Sequence, residues 1–345
     1  MKILFITADL KELGGIQKYD ADFLKSLGEE EVLHVQLKAK NLILKAFFVL
    51  SLFMKFLSFR PDIVVCGHVN FSPLGYLFKK FFKKNYAVLT YGIEVWDLKK
   101  RQIKYLKSAK IISTISTYTK NRILAVIPEL KPKIFMLPNA IDGDKFKPGP
   151  KTALLAEKLG VKNDKVILTI SRLAKSEKYK GYDKVIRALP AIVKEIKNAK
   201  YILVGNGDDG PRIEQLIKDL KMGNYVVRPG YIPEEELVDY YNLCDVFAMP
   251  SKGEGFGFVF LEALACGKPV IAGNQDGSVD AVLNGELGIL VNPDNIDEIS
   301  EVIIKILKRE APSNLLDSEY LRRKILEIYE VDKFKEKVKK LINGI

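Results

Sequence analysis

Short apolar runs alternate along the chain with longer stretches in which apolar residues recur every three or four positions. Lys2 to Thr7, Val32 to Leu37, Ile63 to Cys66, Ala87 to Leu89 and Lys110 to Ser113 are nearly continuous in β-branched and apolar residues. Such runs read as strands buried on both faces, the habit of parallel sheets. The same alternation starts afresh at Val166 to Ile170 and continues through Tyr201 to Val204, Tyr225 to Val227, Val246 to Ala248, Pro269 to Ile271 and Gly288 to Val291. Strands separated by helical patterns imply βαβ units, and the restart implies two of them in series. The predicted join is the Pro/Gly-rich stretch Lys147-Pro148-Gly149-Pro150, followed by a helix from Ala153 to Leu159. The expected organisation is two doubly wound α/β domains, residues 1–155 and 156–327, and a tail at 328–345 whose lysine-rich amphipathic helix can pack back on the first domain. Ligands of such sheets lie at the carboxyl ends of the strands, so two sheets imply a cleft between them. A chain of 345 residues suits this division.

Composition sharpens the class. With 48% apolar and 28% charged residues the chain is globular. The three cysteines, Cys66, Cys244 and Cys266, are far apart, and His34 and His68 are the only histidines, so neither a disulfide framework nor a zinc site is expected. The apolar opening is too short for a signal-peptide core, and the expected location is the cytoplasm. The net charge of +12 is one-sided: residues 1–155 carry 26 Lys and Arg against 13 Asp and Glu, the remainder 29 against 30. No helix-turn-helix spacing, zinc module or RNA-binding aromatic signature accompanies that excess, so nucleic acid is not the expected partner; an anionic acceptor or membrane surface fits better. Leu42 to Phe59 carries only Lys45 and Lys55 as charges. Those lysines, with Ser51 and Ser58, fall within an arc of roughly 140° on a helix, which leaves a broad apolar face. Two readings stay open, a domain helix whose lysines reach solvent and a helix lying in a membrane interface. Phe78-Lys79-Lys80-Phe81-Phe82-Lys83-Lys84 adds a second basic and aromatic cluster.

The candidate chemistry follows the strands of the second series. Pro250-Ser251-Lys252-Gly253-Glu254-Gly255-Phe256-Gly257-Phe258-Val259-Phe260-Leu261-Glu262-Ala263 reads as a strand end, a glycine loop and a helix. Gly255 and Gly257 allow backbone to approach a ligand, and the helix start offers unpaired N–H groups to phosphate. Glu254 falls in the loop and Glu262 about two turns into the helix, so both can face one cleft; carboxylates there accept hydrogen bonds from vicinal hydroxyls such as those of sugars and riboses. Alone, this is also compatible with ordinary packing of a doubly wound domain. Arg172 and Lys180, in Ser171-Arg172-Leu173-Ala174-Lys175-Ser176-Glu177-Lys178-Tyr179-Lys180-Gly181, can reach a diphosphate from the end of the preceding strand and the start of the next helix.

The two glutamates, with seven residues between them, resemble the signature of the family 4 retaining glycosyltransferases, which have the GT-B fold. The resemblance implies that Glu254 contacts the donor sugar, Glu262 the ribose, and Arg172 and Lys180 the donor diphosphate, with Gly255, Phe256, Gly257 and Phe258 as further donor contacts. Leu13-Gly14-Gly15-Ile16 resembles the family's glycine loop, implying phosphate contacts from Gly14, Gly15 and Ile16. Val204-Gly205-Asn206-Gly207 resembles the turn beside the nucleoside and Gly230-Tyr231-Ile232-Pro233 the turn that meets the base, which brings in Gly205 and Tyr231. Leu137-Pro138-Asn139-Ala140-Ile141-Asp142 resembles the family's linker. Two positions depart from the pattern. Gly273 to Asp280 lacks the usual proline, and Tyr91, in Thr90-Tyr91-Gly92-Ile93-Glu94, stands where relatives have a histidine facing the sugar. Tyrosine can donate a hydrogen bond there but cannot act as an imidazole. His68 is the other candidate for a sugar or acceptor contact.

The expectation is therefore a retaining glycosyltransferase that moves a hexose-type sugar from a nucleotide diphosphate donor to a hydroxyl acceptor, lipid-linked or other glycan, at the inner face of a membrane. It needs no cofactor and no metal. An epimerase of the same fold and a non-catalytic nucleotide-sugar binder at the membrane are the alternatives.

Overall fold

The computed structural model describes residues 1–11, 14–38 and 41–345, Leu42 by its backbone alone. Leu13, at the head of the glycine turn, lies outside them. Two compact units make up the chain: Met1–Ala140 with Asp332–Ile345, and Ile141–Val331.

The first unit is built on β1 (Lys2–Ala8), β2 (Glu31–Leu37), β3 (Ile63–Cys66), β4 (Asn85–Thr90), β5 (Ile111–Thr114) and β6 (Ile134–Met136), in spatial order β2-β1-β3-β4-β5-β6. The second holds β7 (Lys165–Ile170), β8 (Ala199–Val204), β9 (Val226–Gly230), β10 (Val246–Met249), β11 (Val270–Gly273) and β12 (Ile289–Val291), in order β12-β11-β10-β7-β8-β9. All neighbouring strands in both sheets are parallel. Ile3 to Ile6 in β1 and Val64 to Cys66 in β3 are wholly buried, as strands covered by helices on both faces must be. In each sheet the chain winds outward in one direction and then crosses back to build the other half. The crossing points, β1 beside β3 and β7 beside β10, are where a doubly wound sheet opens a crevice at its carboxyl edge. Strand β6 escapes the hydrophobic pattern because it has three residues, bracketed closely by Pro132 and Pro138.

Three helices of the first unit matter below. α1 (Gly15–Ser26) starts at the glycine turn. α2 (Leu42–Phe59) is capped by the Asn41 side chain, which accepts the Leu44 N–H at 2.9 Å. α3 (Ser72–Phe82) packs on α2 through Phe78, whose ring stacks on Phe56 at 4.2 Å and lies 4.9 Å from Phe53.

The join expected at 155/156 falls inside the second unit, which already begins at Ile141. The Ile141 N–H donates to the Tyr329 carbonyl at 2.8 Å, and Arg322 donates to the carbonyls of Gly143 and Phe146, so residues 141–146 are tied to the helix Ser318–Tyr329. Pro148-Gly149-Pro150 is an irregular segment of that unit, held by the Asn242 amide, which accepts the Gly149 N–H and donates to the Lys147 carbonyl. The last helix, Val331–Asn343, sets Phe334 edge-on to Tyr19 at 5.4 Å, and the Asn85 side chain donates to the Ile345 carbonyl.

Candidate active site

The carboxyl ends of β7 and β10 carry Arg172 and the glycine loop. Beyond Arg172 the chain makes a 3₁₀ turn over Lys175–Lys180 and enters the helix Tyr182–Glu195 through Gly181, which is left-handed at φ 76°. A Cβ on Gly181 would strike the Pro250 carbonyl oxygen, so only glycine lets the two loops close to this distance. Tyr179 completes the contact. Its carbonyl accepts the Lys252 N–H at 2.9 Å, and its ring lies 2.8 Å from where a Cβ on Gly253 would stand.

This clamp brings four charges into a row. Arg172 donates to Glu177; Lys180 Nζ stands 3.6 Å from the other Glu177 oxygen and 3.5 Å from Glu254 Oε2. The Lys180 and Glu254 side chains are each 18% exposed, Arg172 63%. The hydrogen bond to Glu177 raises the Arg172 pKa further. Glu254 Oε2 is buried and makes no hydrogen bond, a carboxylate oxygen with capacity left for a hydroxyl donor. Glu254 is itself fixed through its backbone: its N–H donates to Asp276 Oδ2 at 2.7 Å and its carbonyl accepts the Gly277 N–H at 2.9 Å. The other Asp276 oxygen accepts from the Ser278 N–H and hydroxyl. Two cations beside a carboxylate with an unused acceptor oxygen can hold an anionic, hydroxyl-bearing ligand.

Glu262 sits deeper, 4% exposed, and its Oε2 accepts the Tyr241 hydroxyl at 2.8 Å. It lies little more than one turn into the helix Phe258–Ala265, not the expected two, because Gly257 at φ 93° delays the helix start. The Phe256 side chain is buried against Tyr329, ring centroids 5.5 Å apart, which leaves only its backbone for a donor contact. Gly205, at φ 124°, lets the end of β8 lie against the Ser171 carbonyl, where a Cβ would clash. Tyr231, just past β9, is exposed.

The first unit gathers its own candidates at the carboxyl ends of β1, β3 and β4. Gly14 is extended, and the first turn of α1, with Gly15 and Ile16, has no side-chain cap. His68 and Tyr91 come together with ring centroids 6.3 Å apart. The Tyr91 hydroxyl, however, points inward. It donates to Asp20 Oδ1 at 2.5 Å, with the Gly67 carbonyl at 2.8 Å, which corrects the expectation of a hydroxyl presented to a sugar. Burial pushes the Asp20 carboxyl up to about 8 against the opposing hydrogen bond from Tyr91. His68 Nδ1 accepts the Asn70 N–H at 3.0 Å, which leaves the ring proton on Nε2; burial lowers its pKa and keeps it neutral.

Glu177, Tyr179, Asp276 and Asp20 were not among the residues singled out. Glu177 and Tyr179 lie within the Arg172 to Lys180 segment, but only the folded turn shows that they hold its cations and loop. Asp276 occupies the departure from the family's proline-containing turn, a position whose partner is 22 residues away.

The profile of the family described as glycosyl transferases group 1 matches residues 151–324, the stretch containing Arg172, Lys180, Glu254 and Glu262. The chain belongs to the group 1 glycosyltransferases. Among its relatives, the GDP-mannose-dependent alpha-(1-6)-phosphatidylinositol monomannoside mannosyltransferase of Mycolicibacterium smegmatis is 31% identical over 68% of the present chain and 64% of its own. The alpha-monoglucosyldiacylglycerol synthase of Acholeplasma laidlawii is 30% identical over 51% of the present chain and 47% of its own. The matches therefore span less than two thirds of the relatives' length. HepE of Anabaena, crystallised in complex with UDP, superposes over 100% of both chains with a TM-score of 0.86 at 18% identity, a likeness of fold, the GT-B fold.

Proposed function

We propose that this glycosyltransferase moves a hexose-type sugar from a nucleoside diphosphate sugar to a hydroxyl acceptor with retention of anomeric configuration. The observation that carries the reading is Lys180 held between Glu177 and Glu254, with Arg172 on the far side of Glu177. As the bond from the sugar C1 to the diphosphate breaks, charge gathers on the departing phosphate; Arg172, Lys180 and loop amides are fixed to stabilise it. Glu254 accepts hydrogen bonds from the sugar hydroxyls and so orients C1, Glu262 serves the ribose, and the turns at Gly205 and Tyr231 flank the nucleoside. The acceptor oxygen bonds to C1 on the face that the phosphate leaves, and its proton passes to that phosphate, so no enzymatic nucleophile and no dedicated metal are invoked. The acceptor we place on a lipid-linked or other glycan at the cytoplasmic face of a membrane, in keeping with the lipids named in the two relatives and with the basic first unit.

The test is to incubate the protein with UDP-, GDP- and ADP-sugars, with and without lipid and glycan acceptors, and to follow nucleoside diphosphate release and anomeric configuration by NMR. Acceptor-dependent release, a product of unchanged configuration and a fall in kcat of about 100-fold or more in Glu254→Gln are expected. Wild-type turnover in that variant, or isomerised donor without acceptor, would overturn the reading.

A further inference from the structure

Beyond the arc that holds its lysines and serines, α2 is apolar over most of its circumference, yet it is covered on one side only. Leu52 and Phe56 point into the core of the first unit. Across the helix, Ile43, Phe47, Leu50, Met54 and Leu57 follow one another at intervals of three and four, within an arc of roughly 80°. Each is between 56% and 69% exposed. Phe81, on the helix that packs against α2, is 63% exposed with the Lys80 ammonium over its ring. Scattered surface apolar residues need no explanation, but an aligned row of five does.

The charge of the stretch of chain that carries this row bears on the occupant. Between Val32 and Ile93 the sequence has one carboxylate, Asp62, against nine cations: Lys38, Lys40, Lys45, Lys55, Arg60, Lys79, Lys80, Lys83 and Lys84. Asp62 is itself engaged by the Lys2 N–H. Beside the apolar row, a groove of about 380 Å³ runs between β2 and α2, and Lys38, Lys55, Gln36 and Ser51 are among the residues that line it. Two copies meeting through such faces would bring like charges together. An anionic lipid surface satisfies both features, with acyl chains against the apolar row and headgroup phosphates over the lysines. Among the described residues no helix is long and apolar enough to cross a membrane, so α2 would lie along the surface.

We infer that α2 is an interfacial helix that docks the first unit on an anionic bilayer: Ile43, Phe47, Leu50, Met54 and Leu57 enter the headgroup and acyl boundary, and the groove at Lys38 and Lys55 receives a lipid phosphate. This docking stands apart from sugar transfer and needs no donor, so it is tested without one. The full chain is floated with phosphatidylcholine vesicles with and without phosphatidylglycerol, alongside Phe47→Asp/Met54→Asp and Lys38→Gln/Lys55→Gln. Wild type should float with the anionic vesicles. The aspartate pair, at exposed positions, should lose more than about tenfold of the bound fraction with an unchanged melting temperature, and the glutamine pair roughly tenfold. Absence of wild-type flotation on either vesicle, or equal flotation of wild type and the aspartate pair, overturns the inference. So does a wild-type dimer that the aspartate pair converts to monomer while neither floats, which would assign the row to a second copy of the chain.

Discussion

Glu254 owes its place to Asp276, a buried carboxylate that takes the Glu254 N–H on one oxygen and the Ser278 N–H and hydroxyl on the other. The candidate catalytic carboxylate is thus oriented by its backbone while one of its own oxygens makes no hydrogen bond. Asp20 in the first unit is the opposite case, a carboxyl buried around its functional end. Its ordinary value of 3.8 rises to about 8 on folding because burial disfavours the charged form more than the Tyr91 hydroxyl favours it. The folded state therefore holds this proton more tightly than the unfolded chain. Its contribution to stability is complete below about pH 4 and is lost as pH rises towards 8, at up to about 1.4 kcal/mol per unit. Asp20→Asn keeps an oxygen for Tyr91 and has no proton to lose. Melting curves at pH 5 and pH 8 should show wild type losing stability relative to the variant over that interval; parallel curves would remove the assignment.

At the level of elements, the strand positions were legible because parallel strands buried on both faces must be apolar throughout. β6 was not, being too short to carry a pattern. Arg172, Lys180, Glu254 and Glu262 were legible as residue types following strands at characteristic spacing. The clamp that unites the first three was not, since it depends on Gly181, Tyr179 and Gly253 in two loops more than 70 residues apart. Nor could the inward turn of Tyr91 be read, because Asp20 lies 71 residues upstream. Gly181→Ala tests the clamp. A left-handed alanine costs roughly 1–2 kcal/mol before its clash with the Pro250 carbonyl is relieved. The variant should melt earlier and turn over more slowly as Lys180 moves from Glu254. Gly223→Ala, where a Cβ meets nothing within 4 Å, should leave both unchanged.

Over the whole molecule the charge divides more sharply by folded unit than by sequence half. The first unit holds 28 Lys and Arg against 13 Asp and Glu, the second 27 against 30. A surplus of +15 on one unit suits an anionic surface. On the proposed function, the second unit, slightly acidic as a whole, would attract a diphosphate through local placement of cations, which Arg172 and Lys180 would supply. Its affinity should therefore depend on those two side chains and little on overall charge. The most direct measurement is the melting temperature with UDP, GDP and ADP, for wild type and for Arg172→Ala/Lys180→Ala. At least one nucleoside diphosphate should stabilise wild type, by about 2.7 kcal/mol at a hundredfold excess over Kd, and leave the double variant unmoved. No shift with any of the three, or an equal shift in both proteins, would contradict a donor site at Arg172, Lys180 and Glu254.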